Sequence, residues 1–302
     1  MQALRNNHTL QGVVLAITAA LLWSGNFVIS RAVSHNIQPV TLAFYRWLTA
    51  TLIIAPFAWK KFQEEKPIIT TNIRYLVLVS LTGIALFNTF VYVAGRYTSA
   101  INMALIGTTS SPIFATIMAV IFLKERLNAF RITGMIICIS GILFLISNGS
   151  LSKLAAFHFS RGDLWILAGA FAFAIYNIQV RKKPAGISAV HFLFVIFGLG
   201  TLMLFPFFLK EWLLDTPTQW SPALLGSIVY LGAGTSVIAF LCWNMAIHQL
   251  GAGRTVLFGN LIPVFSIFEA VLFLGEKMST AHIFSSITVI AGLTIANLKP
   301  HR

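Results

Sequence analysis

The chain has 302 residues, of which 57% are hydrophobic and only 10% charged. A soluble domain carries about 25% charged residues, so this composition excludes an ordinary globular enzyme and predicts an all-α polytopic membrane protein. The net charge of +13 raises nucleic acid as a partner. The Lys and Arg residues instead fall in short stretches between apolar runs, where they act as topology signals and contacts to membrane lipids.

In chain order, apolar runs of the ~20 residues needed to span a bilayer lie at 12–32, 39–59, 74–95, 99–123 and 129–147, then at 162–181, 188–209, 222–247, 252–274 and 279–298. These ten expected transmembrane helices form two sets of five. The expected boundaries are 1–148 for the first repeat and 162–302 for the second, with a polar linker at 149–161. On the side that holds both termini the expected topology places fourteen Lys and Arg, including Lys60, Lys61, Arg126, Arg181, Lys182 and Lys183. The other side receives six: Arg31, Arg96, Lys153, Arg161, Lys210 and Lys277. The positive-inside rule then predicts that both termini are cytoplasmic, in a plasma membrane or bacterial inner membrane. Trp59 and Trp212 stand beside basic residues at the ends of runs, as interface anchors do.

The two halves repeat one another at an offset of 151. Over 112–126, seven of fifteen positions are identical between the copies, among them Pro112 with Pro263, Phe114 with Phe265 and Glu125 with Glu276. An odd number of spans per repeat predicts opposite orientations, the inverted-repeat architecture of secondary transporters. The two prolines interrupt apolar runs, either as packing kinks or as breaks at the repeat interface that serve gating. Thr108 to Ser111 are expected to satisfy the carbonyl that Pro112 frees. Gly134, Ser140 and Gly141 in one run, and Ser285, Ser286 and Gly292 in another, predict close helix packing.

Polar residues within the runs are few. An ionisable group in hydrocarbon costs roughly 2.5–3.5 kcal/mol on insertion scales, which singles out Arg46 and Glu269. Their repeat counterparts are Phe197 and Met118, so the duplication imposes neither charge. Trp23, Asn26 and Ser30 share one helical face, as do Asn88, Tyr92 and Gly95. Tyr176 and Asn177 lie in the sixth run and Trp243 and Asn244 in the eighth, while Asn260 precedes Glu269 by nine positions. Amides interleaved with aromatics fit either an amphiphilic binding cavity or interhelical hydrogen bonds. Arg46 and Glu269 fit three arrangements: a clamp for a zwitterion, a direct ion pair when the site is empty, or a Glu269 that accepts a proton on burial; the bland alternative is that each pins the fold through a buried partner. There is no P-loop, no HExxH and no Cys/His ligand spacing, so no cofactor, metal or enzymatic activity is expected, and nothing requires an oligomer.

Four segments carry a family resemblance: LLWSGNFVISR at 21–31, PVTLAFYRWLTA at 39–50, SSPIFATIMAVIFLKERL at 110–127 and NLIPVFSIFEAVLFLGEKM at 260–278. Over nearly its whole length the chain resembles the EamA family of the drug/metabolite transporter superfamily. The resemblance implies ten helices in two inverted repeats around a central cavity, alternating access, and outward movement of small molecules. It carries over to Trp23, Asn26, Arg46, Pro112 and Pro263. Glu269 departs from the apolar residue usual at its position. The expected function is export of small amphiphilic metabolites, amino acids first among them. The alternative is a proton-coupled exporter of organic cations or drugs.

Overall fold

The computed structural model describes residues 2–59, 62–124, 128–147, 149–150, 160–215, 217–250, 255 and 258–296. All regular structure among them is helical. We label the helices α1 (Gln2–Ala32), α2 (Pro39–Trp59), α3 (Phe62–Thr71), α4 (Ile73–Ala94), α5 (Ala100–Leu123), α6 (Ala129–Ile146), α7 (Arg161–Val180), α8 (Ala189–Leu214), α9 (Pro222–Leu250), α10 (Leu261–Leu274) and α11 (Thr280–Ala296). Among the described residues, seven helices are long and apolar enough to cross a membrane: α1, α2, α4, α5, α7, α8 and α9. Helices α6, α10 and α11 are apolar but shorter. The chain is a multi-pass membrane protein. Trp59 and Trp212 point outward, as expected of anchors.

The ninth expected span differs most from its reading. The run over 252–274 hides a break, because the described helix starts at Leu261 after a turn at Gly259–Asn260. Pro263 therefore sits in the first turn, where its missing N–H would have no intrahelical partner anyway. Pro112 lies in the middle of the continuous α5. Of the residues expected to satisfy its freed carbonyl, that of Thr108, the Thr108 hydroxyl donates instead to Ala104 O (2.7 Å), and the Thr109 hydroxyl is buried without a partner among the described residues. Glu125, Lys60, Lys61, Arg126 and most of the expected linker (151–159) lie outside the described residues.

Two spans carry π-helical segments, Leu81–Leu86 in α4 and Tyr230–Ile238 in α9. At the repeat offset the first maps onto 232–237, inside the second. A π turn carries one residue too many for the α-helical ladder and occurs often at functional sites. Gly83 makes room here, since a Cβ would come within 2.1 Å of the Tyr176 ring.

The halves interlock. Helix α1 packs on α9 and α10, and α7 correspondingly packs on α4 and α5. Helix α2 packs on α8, α5 on α10, and α6 on α11. In the last pair, a Cβ on Gly134 would sit 2.5 Å from Gly292 O. Ser285 Oγ donates to Gly141 O (2.8 Å). Ser140 does not join this interface and bonds its own helix at Ile137 O.

Acidic side chains tie helix ends across the halves. The Glu276 carboxylate accepts from Ala100 N (2.8 Å) and Ile101 N (3.2 Å) at the start of α5. Glu211 accepts from Val40 N (3.2 Å) and Thr41 N (2.7 Å) at the start of α2. Glu65, in α3, accepts from Ser188 N (3.0 Å) and contacts His191 Nδ1 at 2.8 Å at the start of α8. A carboxylate at a helix N-terminus satisfies unbonded N–H groups and meets the positive end of the helix dipole. Burial raises the Glu65 pKa, but the Ser188 N–H, the Ser188 hydroxyl and His191 outweigh it and hold the carboxyl below its usual value. Asp163 closes a capping box with Ser160. Glu64 and Asp215 are exposed. Among the described residues, that leaves Glu269 as the acidic side chain set in a helix of the bundle without capping a helix end.

Candidate substrate-binding site

The polar face of α1 meets α4 and α9. Trp23 Nε1 donates to Thr235 O (3.0 Å), and Ser30 Oγ donates to Val91 O (3.0 Å). Between them, Asn26 Oδ1 accepts from Arg46 Nη1 at 2.6 Å. The same Nη1 reaches Asn88 Oδ1 at 2.6 Å and Tyr92 OH at 2.8 Å. Tyr92 OH also donates to Asn26 Oδ1 at 3.3 Å. Arg46 Nε donates to Ser236 Oγ (3.0 Å) in the π segment of α9. The guanidinium lies over the Trp47 ring at 4.7 Å. Arg46 is 4% exposed, yet no carboxylate pairs with it and Nη2 has no hydrogen-bond partner among the described residues. The guanidinium is thus held by neutral acceptors while keeping its charge and one donor edge unspent. A planar fork of this kind matches a carboxylate bidentately.

An aromatic wall adjoins this cluster. Trp23 meets Trp243 with ring centroids 5.1 Å apart and Phe240 at 5.5 Å. Asn26, Asn88 and Tyr92 thus surround Arg46, while Trp23 lies one turn away on the same face of α1, with Trp243 beside it. Four other residues read as site candidates are not joined to it. Tyr176 is buried against Phe173 (5.5 Å, stacked). Asn177 and Asn260 are half-buried and make no side-chain hydrogen bond among the described residues, and Asn244 is exposed. Ser236 and Thr235 are partners that sequence reasoning did not find. Their one signal was a pair of hydroxyls following the glycines of GAGTS.

Glu269 forms a second centre. Its Oε1 lies 2.7 Å from Ser24 Oγ, and its Oε2 is buried without a partner among the described residues. Ser266 Oγ donates to Ser24 O (3.1 Å) beside it. Ser24 and Asn26 are two positions apart, about 200° around a helix. Arg46 and Glu269 therefore occupy opposite sides of α1, and the direct Arg46–Glu269 pair that the sequence allows does not form.

The long apolar helices and the interlocked halves define a polytopic membrane protein. Residues 10–147 and 160–298 each match the EamA-like transporter family, and the chain belongs to that family. It is a transporter rather than an enzyme. It is 26% identical over 290 residues to an uncharacterized transporter of Archaeoglobus fulgidus, covering 96% of this chain and 98% of that protein. It is 22% identical to a "Probable amino-acid metabolite efflux pump" of Escherichia coli and 24% identical to one of Salmonella typhimurium, each over 93% of both chains. A solved crystal structure at 18% identity superposes with a TM-score of 0.60 over 94% of this chain and 96% of its own, which shows the shared fold.

Proposed function

We propose that this chain is a secondary transporter of the bacterial inner membrane that exports small amphiphilic metabolites, amino acids first, by alternating access. The observation that carries the reading is Arg46, a buried guanidinium that among the described residues has no acidic partner and a free Nη2, set beside the Trp23–Trp243 wall. Arg46 takes the substrate carboxylate, Asn26, Asn88 and Tyr92 hold the guanidinium, and the aromatic rings receive an apolar side chain.

Ten spans in two inverted repeats, 1–148 and 162–302, complete the proposal, with α6, α10 and α11 as the three short spans. Two features support it. The π segments coincide at the repeat offset, and each cross-half packing of α1 is mirrored by one of α7. Both termini are cytoplasmic in this arrangement. Pro112 and the Pro263 break are its bending points, and Tyr176, Asn177, Asn244 and Asn260 line the path in other conformations. The two enterobacterial relatives named as amino-acid metabolite efflux pumps support export and substrate class. One observation favours a second reading, a proton-coupled exporter of organic cations: Glu269 is an acid set within α10 with no cationic partner among the described residues. Flux through reconstituted vesicles, measured against amino-acid concentration, tests the carrier reading. It saturates for a carrier and rises linearly for a channel.

A further inference from the structure

Hydrogen atoms around Ser24 can be counted. Its hydroxyl oxygen lies 2.6 Å from Leu21 O and 2.7 Å from Glu269 Oε1. A serine hydroxyl has one hydrogen and two acceptor lone pairs, and a backbone carbonyl can only accept. If the serine hydrogen goes to Leu21 O, the short contact to Glu269 needs a hydrogen supplied by the carboxyl. A carboxylic acid at Glu269 meets this count, with Oε1–H donating to Ser24 Oγ and Ser24 Oγ–H donating to Leu21 O. It also explains Oε2, which is buried without a partner. Left as the carbonyl oxygen of a neutral acid, Oε2 costs less than an unsatisfied carboxylate oxygen would.

The surroundings offer no counter-charge. Helices α1 and α5 pack against α10. Helix α5 contains no titratable side chain, and α1 presents Ser24 and the backbone of Leu21 and Leu22. From α9 comes Tyr230, whose hydroxyl is committed to Leu22 O at 3.0 Å. Arg46 lies across α1, bound to Asn26, and no Lys, Arg or His among the described residues acts on Glu269.

We propose that Glu269 is a proton-carrying site. Its carboxyl is protonated in this conformation, with Oε1–H donating to Ser24 Oγ, and loses that proton to water when α1 and α10 rearrange and Glu269 parts from Ser24. The proton moves between a carboxyl oxygen and water, with no other bond formed or broken. This use of the site rests on the carrier reading above, and the proton itself does not.

Infrared titration of the full chain in phosphatidylethanolamine–phosphatidylglycerol vesicles tests it without any substrate. In wild-type-minus-Glu269→Gln difference spectra at neutral pH, one protonated-carboxyl C=O band is expected, lost in the variant. Ser24→Ala, which leaves the acid in place but removes its acceptor, should shift that band to higher frequency. Absence of a Glu269-dependent band at neutral pH would overturn the proposal, leaving Glu269 a carboxylate that receives the serine hydrogen. A band that Ser24→Ala does not move would overturn the assignment of Ser24 as acceptor. Amino-acid exchange in the same vesicles reports separately on the carrier reading, so either claim can fail alone.

Discussion

Replacing Arg46 by Lys separates a binding role from a packing role. The guanidinium spans two places at once, with Nε on Ser236 and Nη1 on the Asn26–Asn88–Tyr92 cluster. A lysine has a single nitrogen at the end of its stem. If it keeps the amide cluster, it abandons Ser236 and vacates the position of Nη2. A hydrogen bond to a charged group contributes about 1.5–3 kcal/mol, which is roughly 10- to 150-fold in an equilibrium constant. The loss at Ser236 should appear as a lower melting temperature. The loss at Nη2 should appear as a KM for a neutral amino acid raised about tenfold or more, while uptake of the corresponding amine, which has no carboxylate, changes little. Uptake into proteoliposomes and thermal unfolding in detergent read the two effects independently. A lowered melting temperature with an unchanged KM would make Arg46 a structural residue and refute its contact with substrate.

Three further outcomes follow from the geometry. The Glu65 carboxyl has a folded pKa below its unfolded value, so its cap on α8 contributes fully above the unfolded carboxylate pKa of about 4.3 and is lost as pH falls through the folded value. The melting-temperature gap between wild type and Glu65→Gln should therefore be wide at pH 7 and close at strongly acidic pH; a gap that widens on acidification contradicts the sign. Pro112→Ala restores a backbone N–H in mid-helix and should slow exchange, whereas Pro263→Ala, in the first turn of α10, should change it much less. Equal slowing in both would show that position in the helix is irrelevant. A reporter fused after Arg302 should be active only if it is of the cytoplasmic type; activity of a periplasmic reporter there would invert the topology.

Much of this arrangement was legible in the residues. The apolar runs mark the helices because a bilayer leaves few alternatives for the backbone. The i, i+3, i+7 spacing of Trp23, Asn26 and Ser30 survives as a real face because α1 is continuous through it. Arg46 and Glu269 stood out because no other Asp, Glu, Lys or Arg falls within a run except near its ends. Other features depend on tertiary placement. A π turn has no residue signature beyond glycines such as Gly83 and Gly234, so the offset of Ser236 toward Arg46 was invisible. The side of α1 on which each group lies follows from how α4, α9 and α10 pack around it, which no local pattern encodes. The break before Pro263 was masked by an apolar run, although Gly259–Asn260 is a turn signal in its own right.

A carrier of this kind holds a carboxylate beside an aromatic wall. Counterflow tests it most directly: vesicles containing the purified chain, preloaded with unlabelled compound, are offered labelled neutral amino acids, polyamines or cationic dyes. The account predicts trans-stimulated uptake of neutral amino acids, strongest for those with apolar side chains, and loss of that stimulation in Arg46→Lys. Counterflow of polyamines or dyes with none of amino acids would contradict it.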